Sequence, residues 1–285
     1  MTQSFRFGSK TYIMAIMNVT TDSFSGDGIA NNSDLIKTAI EKADAFRQEG
    51  ADILDIGGES TRPGAEPVNL QEEMDHVIPV IQAIRQRMDI PISVDTYKSE
   101  VAQAALAVGA NWINDVWGLR ADANMAAVAA VNRTPIILMH NRSKIDQAEL
   151  QHRLGGRYIN VPYQNLMQDV KHELMESVQI ARTAGVEDEN IILDPGIGFG
   201  KTVNQNLELI DRLNEIKQLG FPLLLGPSRK SFIGYTLNLP PEDRLEGTCA
   251  ACAVGILRGA DILRVHDVKA IARMTLMIDA IVRRL

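Results

Sequence analysis

The sequence predicts an α/β protein folded as a single (β/α)8 barrel, and three observations lead there. Short apolar β-type runs alternate with amphipathic stretches of helical length, the pattern of repeated βαβ units around a fully covered parallel sheet. About eight such runs occur, and eight strands close the barrel. Three strand entries also echo one another: "EGADILDIGG" from Glu49, "VGANWINDVW" from Val108 and "RGADILRVHD" from Arg258. In each, a glycine fits the position just past a helix end, and a short link leads into an apolar strand. With 285 residues, 45% of them hydrophobic, the chain buries one sizeable core, so residues 1–285 are expected to form one domain.

The strands are expected, in order, at "YIMAIMNV" (12–19), "DILDIGG" (52–58), "PISVDT" (91–96), "WINDVWG" (112–118), "PIILMH" (135–140), "IILDPG" (191–196), "PLLLGPS" (222–228) and "DILRVHD" (261–267). Helices fill the intervals. The first is signposted by Ser33 as its N-cap and Gly50 as its terminator. Three long segments each follow a strand: "TTDSFSGDGIANNS" after the first, "GESTRPGAEPVN" after the second and "NRSKIDQAELQHRLGGRYIN" after the fifth. These long βα loops 1, 2 and 5 fall on the C-terminal face, where barrel enzymes build their sites. No Pro/Ser-rich linker or low-complexity segment interrupts the pattern.

A net charge of -7 argues against non-specific nucleic-acid binding, while leaving room for a local basic pocket that takes an anion. The N-terminus has no apolar signal region and no apolar run is long enough to span a bilayer, so a soluble cytoplasmic protein is expected. The only cysteines form Cys249-Ala-Ala-Cys252 in a small-residue helical stretch, where they are expected to pack as small hydrophobes. A zinc site would want further Cys or His partners nearby.

The stretch "DPGIGFGKT" (194–202) has the look of a phosphate-cradling loop. Counting back from Gly200-Lys201-Thr202, however, the first glycine of that motif would be Pro195, which has no N–H to offer. The alternating Gly196, Gly198 and Gly200 fail the dinucleotide fingerprint as well. What remains is Asp194 at a strand end, with Lys201 and Thr202 expected to begin the next helix.

Asn18, Asp55, Asp95, Asn114, His140, Asp194, Ser228 and the Arg264/His266 pair all stand at or just past the ends of otherwise apolar strands. A buried strand end is a costly place for a charge unless it is paired or meets a ligand. A ring of such residues therefore reads as a site. Arg264 and His266 lie two apart on one strand and point the same way, beside a helix starting near Asp267, which suits an anion such as phosphate. Asp95, Asn114 and Asp194 supply mostly acceptors, which suit a flat heterocycle rich in N–H donors; Lys230 adds a donor for a carbonyl oxygen. No Ser-His-Asp order and no H-E-x-x-H motif is evident.

In order along the chain, "MAIMNVTTDSFSGDG", "DIGGESTRPGA", "SVDTYKSEVA", "INDVWG", "ILMHN", "DPGIGFGKT", "GPSRKSFIG" and "RVHDV" resemble the successive signatures of the dihydropteroate synthases, pterin-binding TIM-barrel enzymes. The resemblance spans nearly the whole chain. It implies condensation of 6-hydroxymethyl-7,8-dihydropterin diphosphate with p-aminobenzoate to 7,8-dihydropteroate and pyrophosphate. It implies that Asp95, Asn114, Asp194 and Lys230 hold the pterin between Met139 and Phe199. Asn18 would help bind Mg²⁺ on the diphosphate, with Thr61, Arg264 and His266 gripping the diphosphate itself. Phe24, Thr61, Arg62, Pro63, Lys230 and Ser231 would form the p-aminobenzoate subsite, closed by the loop that carries Asp22. Asp95, Asp194, Lys230, Arg264 and His266 would carry the chemistry.

A homodimer through the C-terminal helices and inhibition by sulfonamides are implied too. Other outcomes open to the same barrel are a pterin-binding homologue without turnover and a methyltetrahydrofolate:corrinoid methyltransferase, which has no use for Arg264/His266 as a diphosphate grip. The chain departs from the family pattern in the first loop. Thr21 stands where proline is common, and Ser25-Gly26-Asp27-Gly28 replaces the expected Ser-Asp-Gly-Gly. Loss of a proline frees φ and raises loop entropy, next to where a sulfonamide would bind.

Overall fold

The computed structural model describes residues 5–19, 32–59, 67–144 and 147–283, with the side chains of residues 32–34 left aside. The parallel strands β1 (Tyr12–Asn18), β2 (Ile53–Gly57), β3 (Ile92–Asp95), β4 (Trp112–Asp115) and β5 (Ile136–Met139) pair in sequence order. The sheet then continues from β5 to β8 (Ile191–Asp194), and from β1 to β10 (Ile262–Val265) and β9 (Leu224–Leu225). A bridge between Leu193 and Leu223, with Leu193 N donating to Pro222 O at 2.9 Å, brings the two ends together and closes the barrel. All eight strands read from the sequence are present. β9 is the shortest, because Gly226-Pro227 leaves the ladder early and proline has no N–H to extend it.

Helices α1 (Asn32–Glu49), α2 (Leu70–Arg87), α3 (Ser99–Ala107), α4 (Met125–Asn132) and α5 (Leu166–Thr183) cover the first five strands. The second half adds α6 (Val203–Asp211), α7 (Leu213–Lys217), α8 (Ser231–Leu237), α9 (Leu245–Leu257) and α10 (Val268–Val282). The three echoing glycines have one physical origin. Gly50, Gly109 and Gly259 stand at φ 105°, 113° and 106°. The following residues Ala51, Ala110 and Ala260 each donate back to the carbonyl five residues earlier at 2.9 Å. That is the left-handed helix stop that turns the chain into the next strand.

The core has two parts. A large apolar layer lies between strands and helices, and Cys252 is fully buried in it with Cys249 packed against it, as small hydrophobes do. A smaller cluster fills the barrel interior. Below it, Phe5 rests edge-on against Tyr12 and Trp112 with ring centroids 4.8 Å apart in both pairs, closing the N-terminal end.

One feature was not anticipated. The segment after β5, expected as an open loop, contains an antiparallel hairpin of β6 (Ala148–Gln151) and β7 (Gly155–Tyr158). Its strands carry little apolar alternation. They are held from outside, by Tyr235 Oη donating to Gly155 O at 3.2 Å and by the Arg157 guanidinium over the Tyr235 ring at 4.5 Å.

The last helix is tied to the first strand through Asp279. This buried carboxylate accepts from Thr11 N at 2.7 Å, Thr11 Oγ1 at 2.9 Å and Arg283 Nε at 2.8 Å. Asp279→Ala leaves a buried backbone N–H without a partner and is expected to cost about 2–3 kcal/mol. Urea denaturation with an unchanged m-value measures it; a loss under about 0.5 kcal/mol would mean that the tie contributes little.

Candidate active site

Along a strand, a residue and its second neighbour face the same way. Inside the barrel the lower layer is apolar, with Met14, Ile53, Trp112, Ile137, Ile192 and Ile262 in one buried cluster. Two residues further on, the same face carries Asp55, Asn114, Met139, Asp194 and Arg264. Asp95 lies beside Asn114 in the pairing of β3 with β4, and Met139 lies beside Asp194 in that of β5 with β8. The strand period alone therefore gathers the site's polar groups at the C-terminal mouth.

Arg264 stands at the centre. Its Nε donates to Asp55 Oδ2 and its Nη2 to Asp95 Oδ2, both at 2.5 Å. Asn114 Nδ2 donates to the same Asp55 Oδ2 at 3.0 Å. Burial disfavours the arginine's charge, but the two carboxylates outweigh it and raise its pKa above the usual value. Burial pushes Asp95 up to about 7 despite Arg264, with Asp55, Glu73 and Asp115 adding to the rise. Asp55 Oδ1 has no hydrogen-bond partner among the described residues. The sequence marks Asp55 as a strand-end carboxylate without a role. In the structure it orients both Arg264 and Asn114.

The opposite wall is the segment after β8. Asp194 is buried, accepts from Gly196 N at 2.7 Å, and has its pKa raised by burial against the pull of Lys230. Lys230 Nζ donates to Ile197 O and lies 4.5 Å from the centre of the Phe199 ring. Burial lowers Lys230 to about 8, with Asp194 holding it up. A cation, a carboxylate and an aromatic face thus lie together, with the buried Met139 beside Asp194 in the strand pairing.

His266 follows directly after β10. Ser228 Oγ accepts from His266 N at 3.1 Å and lies 3.0 Å from His266 Nδ1. With the hydroxyl accepting from the backbone, its own hydrogen suits Nδ1 as acceptor. Asn18 ends β1, and Ser231 is the first residue of α8. Asp22, Phe24, Thr61, Arg62 and Pro63 lie outside the described residues, as do Thr21 and the Gly26-Asp27 departure.

Two expectations need correction. His140 does not join the ring at the mouth: it is one residue past the inward-facing Met139, so strand parity turns it outward, where it is buried against Lys201. Lys201 does not begin a helix either. Thr202 is the N-cap of α6, in a capping box with Gln205, and Lys201 is buried below it. Sequence reasoning also missed Arg244, which is 2% exposed and, among the described residues, donates only to carbonyls. These are Leu239 O at 3.1 and 3.0 Å, Arg229 O at 2.9 Å and Leu154 O at 3.0 Å. It joins the hairpin turn to the residue before Lys230. Nothing in its sequence context distinguishes it from a solvated basic residue at a helix start.

The family model for pterin binding enzymes matches residues 14–266. A dihydropteroate synthase of Clostridium beijerinckii is 50% identical over 283 residues, covering 99% of this chain and 98% of that protein. The crystal structure of dihydropteroate synthase from Clostridium difficile in the presence of pteroic acid superposes with a TM-score of 0.87 at 46% identity, covering 98% of this chain and 100% of that one. The Yersinia pestis dihydropteroate synthase in complex with a sulfonamide drug gives 0.86 at 38% identity, covering 97% and 96%.

Asp194 is the largest influence raising Lys230, so Asp194→Asn is expected to lower the Lys230 pKa below about 8. NMR of the lysine Cε resonances against pH measures it. An unchanged or higher pKa would place the two groups apart.

Proposed function

The chain belongs to the dihydropteroate synthases among the pterin binding enzymes, and on that premise we propose that it joins 6-hydroxymethyl-7,8-dihydropterin diphosphate to p-aminobenzoate, releasing pyrophosphate. It is a transferase of folate biosynthesis. The observation that carries the reading is the mouth's charge pattern: Arg264 is bonded to Asp55 and Asp95, and Asp194 is near enough to Lys230 to hold up its charge. The reaction needs both signs. A C–O bond next to an electron-rich dihydropterin can break before the amine attacks, leaving a developing ring cation and departing pyrophosphate. Buried carboxylates favour the first and fixed cations the second.

In this reading Asp95, Asn114 and Asp194 bind the pterin N–H groups and Lys230 its carbonyl, with Met139 and Phe199 as apolar walls. Arg264 and His266, with Thr61, grip the diphosphate. The arylamine is already a neutral nucleophile, so no strong general base is required. Ser231 and Lys230 meet the p-aminobenzoate carboxylate, while Phe24, Thr61, Arg62 and Pro63 complete that subsite and the loop with Asp22 closes over it. These last assignments rest on the resemblance of their motifs.

The donor set fits a magnesium ion that arrives with the diphosphate. Asn18 offers one amide oxygen at the end of β1, and no group of three or more His, Cys, Asp or Glu side chains able to cage a metal exists among the described residues. Mg²⁺ commonly takes one or two protein oxygens together with phosphate oxygens and water. Bound there, it would neutralise charge on the leaving group.

A cytoplasmic location belongs to the same proposal; no helix among the described residues is long and apolar enough to cross a membrane. Sulfonamides, which mimic p-aminobenzoate, are proposed inhibitors. A homodimer is proposed through α9 and α10, which pack together and leave Leu257, Leu276, Met277 and Ile281 more than 60% exposed. Sedimentation should show a dimer at micromolar concentration that Met277→Glu with Ile281→Glu converts to monomer; a monomeric parent protein ends that part of the proposal.

The activity is tested by pyrophosphate release from the dihydropterin diphosphate and Mg²⁺, with and without p-aminobenzoate. Release that requires p-aminobenzoate and matches the dihydropteroate formed is expected. Tight pterin binding with no release would instead make the protein a binding homologue. Arg264→Ala should lower kcat about a hundredfold to a thousandfold, as losing a preorganised anion contact does, and near-normal turnover would remove the diphosphate assignment.

A further inference from the structure

The glycine-rich segment 195–200 is shaped by a residue that no step of the proposed reaction uses. Lys201 is 1% exposed, among the largest fully buried side chains of the protein. Its chain turns back under its own loop. There Nζ lies 2.9 Å from His140 Nδ1 and donates to Gly196 O and Phe199 O at 3.0 Å each. His140 O is a longer fourth contact at 3.5 Å; the three shorter ones match the three N–H bonds of an ammonium.

The loop can wrap the cation because alternate residues adopt left-handed backbone: Gly196, Gly198 and Gly200 stand at φ 70°, 84° and 60°. Close approach adds a second requirement. A Cβ on Gly196 would lie 1.8 Å from His140 O, and one on Gly200 would lie 2.3 Å from the Arg142 carbonyl carbon. The carbonyls of residues 196 and 199 are thereby turned inward to Lys201, while that of Ile197, between them, accepts from Lys230 Nζ. One short loop thus holds two lysines, one behind the site and one within it.

Behind Lys201 the network continues outward. His140 Nε2 lies 3.1 Å from Glu173 Oε2 on α5, off the line of a good hydrogen bond. Glu173 in turn accepts from Arg142 Nε at 2.7 Å. The carboxylate beside Nε2 and the donor beside Nδ1 select the same imidazole form: neutral, with its proton on Nε2. Burial, Lys201 and Arg120 hold His140 down at about 3, against the opposing pull of Glu173. Arg142 and the Tyr163 ring stand on the outer side of the same network. Burial lowers the Lys201 pKa, Asp194 and Glu173 oppose it, and Lys230 and Arg142 reinforce it.

We propose that Lys201 is a positioning residue for the pterin subsite: its buried ammonium, clamped by Gly196 O, Phe199 O and His140 Nδ1, holds residues 195–200 in the shape that sets Phe199 and Ile197 O against Lys230. The inference rests on the pterin reading of that subsite. Lys201 touches no reacting atom; it acts through the loop. Its loss loosens the pterin wall, and of the residues expected to hold p-aminobenzoate it reaches Lys230, through Ile197 O.

Lys201→Met keeps the side chain's length and removes its donors, while Lys201→Gln returns an amide donor. Lys201→Met is expected to weaken binding of the dihydropterin diphosphate by calorimetry, without p-aminobenzoate present, on the order of tenfold to a hundredfold. KM for p-aminobenzoate, whose subsite shares Lys230, should rise by a clearly smaller factor, less than the tenfold that 1.4 kcal/mol represents, and Lys201→Gln should recover part of the pterin affinity. Equal loss for both substrates, no loss, or no recovery in a folded Lys201→Gln would overturn the proposal.

Should Lys201→Met fail to fold, the wild-type protein still decides. Nitrogen-15 NMR of His140 at neutral pH should show Nε2 protonated and Nδ1 as acceptor; a proton on Nδ1 contradicts the clamp. Because binding and NMR need no turnover, a protein that binds pterin without p-aminobenzoate-dependent pyrophosphate release fails the synthase reading while still reporting on Lys201.

Discussion

The buried guanidinium of Arg264 is the constraint on which the mouth depends. A cation drawn into a barrel end must be neutralised on the spot, since desolvation would otherwise cost several kcal/mol. Asp55 and Asp95 do so from adjacent strands, each at 2.5 Å. The arrangement also fixes what those carboxylates can do next. Asp55 has one oxygen committed to both Arg264 and Asn114, which makes it a brace. Asp95 accepts from Arg264 Nη2, and burial raises its pKa to about 7 even beside the arginine.

A second constraint works through geometry. Parallel strands present every second residue to the interior, and the lower interior layer must be apolar to fill the barrel. The polar groups can then collect only one layer higher, at the open end. Ile53 with Asp55, Trp112 with Asn114, Ile192 with Asp194 and Ile262 with Arg264 are the same two-residue step repeated around the ring. The fold and the site are in this sense one pattern.

That is why so much was legible. Strand positions, the recurring glycine stops and the inward-facing polar residues are all local, periodic signals, and each survives without knowledge of tertiary contacts. What was hidden is non-local. The hairpin of β6 and β7 has almost no apolar alternation and exists because Tyr235, Arg157 and Arg244 hold it. Arg244 itself reads like any basic residue before a helix, and its burial is explained by the carbonyls of Leu239, Arg229 and Leu154, brought to it from three parts of the chain. His140 was misread for a simpler reason. It closes an apolar run like the site residues, yet it is one position out of phase with Met139, and counting parity would have found it.

The same contrast explains the glycine-lysine segment after β8. As a string of letters it resembles a phosphate loop, in which backbone N–H groups converge on an anion. The observed loop does the reverse: the carbonyls of Gly196 and Phe199 turn inward, and the group they surround is the chain's own Lys201. Left-handed glycines alone do not say which way the dipoles point. The proline at position 195 and the inward lysine select the cation-binding sense, because a loop that already encloses an ammonium has its carbonyls committed. A segment of this kind serves a neighbouring site by its rigidity, with Phe199 and Ile197 O held on one side and the His140–Glu173 pair on the other.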